Sequence, residues 1–256
     1  MRIPIRHRSA ALAAGGAALI AVLATAATPA LAATAPAAVT GTPAVSGTPA
    51  PGTGPAAVQK QAAAEIAARQ TAITARLNQL STGGNLSTGD KGLTAADRQA
   101  LITILTGDRS GLGTLGAKIA ADTDLATARA DRQKIFTGYR VFALAMPQVR
   151  LVRAADALTT EALPRLADAQ ARLQAALEKA GRSDQAAAQL ADLGKQLDTL
   201  RSATSGLSAK LLAFTPAQYD ADHDLLAPSR QSLLSAREAL RQARADLVAL
   251  RALLHS

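Results

Sequence analysis

An all-α fold, an elongated antiparallel helical bundle or coiled coil of four to five helices, follows from three features of the chain. Alanine makes up about a quarter of the 256 residues, while aromatic residues are only 2%. Ala, Leu, Arg and Gln form helices readily, whereas strands draw on β-branched and aromatic residues that are scarce here. Apolar residues recur every third, fourth or seventh position from Ile66 to Leu254, and no stretch alternates apolar with polar. Glycine, proline and polar residues cluster between these periodic runs.

Residues 1–32 read as a secretory signal peptide. Arg2, Arg6 and Arg8 make a positive start, Ala10 to Ala27 is an uncharged apolar run, and Ala30-Leu31-Ala32 is a cleavage site. The arginines are not paired, which favours the general export route. The apolar run is near the lower limit for a bilayer span, so cleavage is expected rather than a retained anchor. Removing its three arginines lowers the formal charge from +9 to +6. Residues 33–56 carry no charge and hold Pro36, Pro43, Pro49, Pro51 and Pro55, with Gly-Thr-Pro-Ala at 41–44 and again at 47–50. So few large apolar side chains cannot offset the entropy of ordering, so this is a disordered linker. Its threonines also suit a glycosylated stalk. Residues 57–256 then form the helical domain. Localisation outside the cytoplasm, secreted or associated with the cell envelope, is expected, with no transmembrane span in the mature chain.

The first helix runs from about Ala57 to Leu80, with Ile66, Ile73, Leu77 and Leu80 on one face and Glu65–Arg69 as an i,i+4 pair. A loop follows over 82–92. The second helix opens at Thr94, where Thr94-Ala95-Ala96-Asp97 resembles a capping box with Asp in place of Glu. Its stripe of Leu101, Leu105, Leu112, Leu115 and Ile119 passes Gly107, Gly111, Gly113 and Gly116, each costing about 1 kcal/mol against Ala, which predicts a broken or mobile stretch. The stripe resumes through Ile135, Tyr139, Phe142 and Met146, read as core, and Pro147 should kink or end it. A helix over Gln148–Ala180 carries the surface pairs Glu161–Arg165 and Asp168–Arg172, and Gly181 caps it. The next begins at Ser183 and runs to Phe214 with Leu190, Leu193, Leu197, Leu200, Thr204, Leu207 and Leu211 in a/d spacing.

The last helix repeats the heptad L-x-x-(S/A/L)-R-x-x four times. Leu226, Leu233, Leu240, Leu247 and Leu254 occupy position a, Ser229, Ala236, Ala243 and Leu250 position d, and Arg230, Arg237, Arg244 and Arg251 position e. A strict seven-residue period makes a seam that supercoils against a partner helix, and small d residues allow close approach. That partner is either in the same chain or in another molecule. The arginine stems either cover the seam with their heads paired to acids on a neighbouring helix, or the heads form a cationic column for an anionic polymer or lipid surface.

The chain lacks the signatures of most chemistries. It has no cysteine, so no disulfide, thiolate metal site or cysteine nucleophile. Asp220-Ala221-Asp222-His223-Asp224 opens like a calcium loop, but Leu225 stands where glycine is needed and Gln231 where a bidentate glutamate is needed, so no metal is expected. Those aspartates instead suit the N-terminus of the last helix, and Thr215-Pro216-Ala217-Gln218 is a capping box. His223 is the one histidine away from the ends, and no nucleophile elbow, P-loop or dinucleotide fingerprint accompanies it. Neither a catalytic centre nor a cofactor is therefore expected. Nucleic acid is disfavoured by the absence of aromatics interleaved with the basic residues.

The stretches Lys118–Leu125 through Tyr139–Phe142, Arg150–Asp156 and Phe214–His223 resemble a group of exported, Ala-rich α-helical proteins of actinobacteria. The resemblance covers most of the mature chain. It implies export and helices, and it transfers no active site. The reading of the whole is a structural or interaction protein acting by helix–helix association through the Leu226–Leu254 seam, with itself or with another helical envelope protein. The alternative is a peripheral binder of anionic envelope polymer or lipid through the arginine column.

Overall fold

The computed structural model describes residues 54–82 and 92–255, all within a unit that begins at Gly47. The signal-peptide reading, most of the linker reading and the loop over 83–91 lie outside the described residues. Among the described residues there are nine α-helices and no strand. No described helix is long and apolar enough to cross a membrane.

Helix α1 (Pro55–Thr82) starts two residues inside the expected linker, because Pro55 sits at its first position, where the missing N–H costs nothing. Helix α2 (Ala95–Ala121) runs unbroken through all four glycines, against the expected break. Two of them let neighbours approach: a Cβ on Gly111 would lie 2.6 Å from the Tyr139 hydroxyl, and one on Gly116 3.2 Å from Ile66 Cδ1. The interruption comes instead at Asp122–Asp124, where Asp124 caps α3 (Leu125–Thr137) by accepting the Thr127 N–H at 2.7 Å. The helix breaks at Gly138–Arg140, and Arg140 is left-handed at φ 43°.

A nearly continuous helix follows: a π-turn (Val141–Ala145), α4 (Met146–Ala157), a second π-turn (Leu158–Ala162) and α5 (Leu163–Lys179). Pro147 and Pro164 each sit just after a π-turn. A proline ring clashes with the carbonyl four residues back, and the wider turn relieves that clash. Pro147 therefore does not end the helix; the turn before it widens instead. The break and the first π-turn shift the helical register, so Phe142, expected in the core, is 53% exposed while Met146 stays buried.

Gly181 at φ 67° closes α5 in a Schellman motif, with the Arg182 N–H on the Leu177 carbonyl at 2.9 Å and the Gly181 N–H on that of Glu178 at 3.0 Å. Helix α6 (Ser183–Thr204) ends earlier than expected, at Ser205-Gly206, and the short α7 (Leu207–Leu212) and α8 (Pro216–Ala221) precede α9 (Ala227–His255). The Thr215–Gln218 capping box is formed in both directions.

These helices make two three-helix bundles. One is α1, α2 and α3; the other is α5, α6 and α9, in which α6 and α9 share the largest contact in the molecule. The successive helices α5 and α6 run antiparallel. So do α6 and α9, where the Arg182 guanidinium beside the start of α6 donates to the Leu253 carbonyl near the end of α9. That leaves α5 and α9 parallel, with Glu161, Arg165 and Ala169 opposite Leu240, Arg244 and Arg251. Helices α4 and α7 lie between the two bundles.

A buried polar clasp joins them. Asp156 of α4 accepts from the Thr94 N–H at 3.0 Å and the Ser208 hydroxyl at 2.5 Å. Thr94 thus caps α2 through the Asp97 N–H, as expected, but its own N–H is taken by Asp156 from another helix rather than by Asp97. Burial raises the Asp156 pKa, these two hydrogen bonds oppose the rise, and Asp97 beside it adds to it. Buried Gln148 donates its amide to the Leu211 carbonyl at the end of α7 and to that of Phe214 at 3.4 Å.

Candidate interaction face

The leucine seam faces its own chain. Leu226, Leu233, Leu247 and Leu250 are buried, as are Ser229, Ala236 and Ala243, while Leu240 and Leu254 are partly covered. Helix α6 lies opposite, burying Leu193, Leu197, Leu200 and Thr204. Thr204 is tolerated in that core because its hydroxyl donates to the Leu200 carbonyl one turn back, at 2.9 Å. At about 1.5–3 kcal/mol for each fully buried leucine, the seam holds α9 in its bundle, where α6 covers it.

The arginine column does the opposite. Arg230, Arg237, Arg244 and Arg251 are all exposed, and none of their guanidinium groups forms a hydrogen bond or ion pair with a described residue. The arrangement in which their heads meet acids on a neighbouring helix is therefore not the one adopted. Arg241, four residues after Arg237 and three before Arg244, shows the contrast: it is gripped by Glu238 at 2.5 Å.

Two of the four column arginines line a trough between α5 and α9. One hollow of about 530 Å³ is bordered by Glu161, Arg165, Leu166, Leu240, Arg244, Leu247, Val248 and Arg251. A second, of about 380 Å³, continues from it along Arg165, Asp168, Ala169, Arg172, Leu173 and Arg251. The sequence presents Arg165 and Arg172 only as surface partners of Glu161 and Asp168. In the structure Arg165 meets Glu161 weakly at 3.4 Å with 78% of its side chain exposed, and Arg172 forms no ion pair with Asp168. The signal that marks them is their spacing of seven, which matches Arg244 and Arg251 on α9. Leu166, Leu240 and Leu247 line the trough between the charged rims, and Val248 at its outer edge, at 64% exposure, is the most open large hydrophobic residue described.

The other candidates are engaged structurally. Asp220 binds the Arg140 guanidinium, which also lies 5.6 Å over the Tyr219 ring, and His223 stands exposed with its ring edge-on to that tyrosine at a centroid separation of 5.3 Å. The same Arg140 is the one non-glycine residue of positive φ among the described residues. No group of His, Asp and Glu suited to a metal ion occurs among the described residues. No family model, curated protein or solved structure matches the chain.

Proposed function

We propose that the chain is an exported, non-catalytic interaction protein that binds an anionic partner through the arginine-lined trough between α5 and α9. One observation carries the reading: a heptad column of four arginines stands exposed with no acid partner among the described residues, on a helix whose remaining arginine is paired. Guanidinium groups left free on a rigid helix, flanked by two more across a trough, are preorganised for carboxylate or phosphate. Placement outside the cytoplasm is supported by the tripartite N-terminal address and by the resemblance to exported helical proteins. The rival use of the Leu226–Leu254 seam for association with another molecule would require α9 to leave α6.

The test is anisotropy of labelled poly-L-glutamate titrated with the full chain. Binding should weaken at least about tenfold between 50 and 200 mM salt, as a multi-site ionic complex does. Replacing Arg165, Arg172, Arg244 and Arg251 by Gln should remove it. Replacing Lys60, Arg109, Arg129 and Lys210, equally exposed and equal in charge, should reduce it far less. Equal losses in the two variants would refute a localised site.

A further inference from the structure

We infer that the occupant of the α5/α9 trough is an acidic amphipathic helix of a partner protein, docking as a fourth helix on the α5/α6/α9 bundle; this rests on the anionic-partner reading and specifies the partner's chemistry. Three features lead there. Two parallel helices with a trough between them are the seat that a further helix takes in a bundle. The charges on the rims repeat helically: Arg165 and Arg172 on one side, Arg244 and Arg251 on the other, each pair seven residues or about 10.5 Å apart along its axis. A partner helix with acids in matching heptad positions meets both rims, in the way flanking charges select partners in coiled coils. Between the rims the floor offers the partly covered Leu240 beside the buried Leu166 and Leu247, and the open Val248 adds an apolar outer edge to the α9 rim. A purely ionic polymer has no use for that floor, whereas the apolar stripe of an amphipathic helix covers it.

Charge complementarity also excludes a second copy of this chain. Four arginines face the trough against Glu161 and Asp168, and a second trough would bring the same excess of positive charge.

The probe is a synthetic 21-residue peptide with Leu at a and d and Glu at e and g, titrated against the full chain and followed by circular dichroism and anisotropy. Two controls carry the same charge: the peptide with proline at its centre, and poly-L-glutamate. The expected result is binding at least tenfold tighter than either control, with a gain in peptide helicity. The four-arginine Gln variant should lose it. Val248→Ser, a substitution at an exposed site that leaves the fold intact, should weaken the peptide severalfold and leave poly-L-glutamate unchanged. Equal binding of the peptide and the two controls, or indifference to Val248→Ser, would overturn the helix inference while leaving the anionic-partner reading standing. Failure of every anion to bind would remove both.

Discussion

The two three-helix bundles treat their charges differently. In α1/α2/α3 two basic residues, Arg132 and Lys118, join helices, while Lys60, Arg109 and Arg129 stand exposed. Arg132 of α3 forks onto Glu65 of α1 at 3.1 and 2.5 Å, displacing the Glu65–Arg69 pair that the sequence suggested. Arg69 instead donates to its own helix and lies 4.6 Å from the Phe136 ring centre and 5.5 Å from that of Phe142. Lys118 and Lys134 both close on the buried Asp131, at 3.0 and 2.6 Å, and hold its carboxyl below the usual range. In α5/α6/α9 the leucine seam secures the helices, and the arginine column of α9 joins nothing. A bundle whose cohesion is apolar can leave its cations free, and such cations are available to a ligand.

That contrast can be broken from either side. The largest effect is expected in the seam. Leu193→Ala and Leu200→Ala, at positions with no exposure, should each cost about 2–5 kcal/mol in denaturant unfolding, as cavities in a tight core do. A loss below about 1 kcal/mol would mean that α6 and α9 are not held as described. Cutting the clasp between the bundles with Asp156→Ala leaves the Thr94 N–H and the Ser208 hydroxyl without their partner, for a loss of about 1–3 kcal/mol in the same unfolding experiment.

Titration tests the first bundle next. Burial pushes the Asp108 carboxyl, which forms no hydrogen bond or ion pair among the described residues and lies near Tyr139, up to about 6, against an ordinary 3.8. A carboxyl whose folded pKa is raised favours the fold at low pH and withdraws that support as pH rises through the folded value. Stability should therefore fall between about pH 4 and 6. Asp108→Asn should flatten that slope and be more stable than the parent at about pH 7, by about 1–2 kcal/mol given partial solvent screening. An unchanged slope in urea melts across this range would refute the assignment.

The smallest effects concern α9. Ser229 occupies a d position where Ala236 and Ala243 stand one and two heptads later, and its buried hydroxyl has no partner among the described residues. Ser229→Ala should stabilise by up to about 1 kcal/mol. Arg237→Gln and Arg244→Gln should leave the unfolding free energy within about 0.5 kcal/mol of the parent. A marked destabilisation would show that these arginines hold the helices together after all.

Much of the fold was legible because helix period and turn chemistry are local. The heptads of α9, the Gly181 cap and the Thr215–Gln218 capping box each depend on residues within one or two turns. Failures came where distant residues intervened. The four glycines of α2 suggest a break, yet Ile66 and Tyr139 lie against two of them. Phe142 left its stripe because a left-handed Arg140, held by Asp220 eighty residues away, resets the register. For the candidate site, the column on α9 was visible and its counterparts Arg165 and Arg172 were not, since their relation to it exists only once α5 lies beside α9.

By itself the sequence determined that this chain is helical, where several helices begin and end, and that α9 has one apolar seam and one basic column. Only the tertiary structure decided which of those two faces is occupied. Burial of leucine is non-directional and was satisfied by the nearest long helix of the same chain. Pairing of arginine needs an acid within ion-pair distance across a helix interface, and although Glu161 and Asp168 line the same trough, neither pairs with a column arginine.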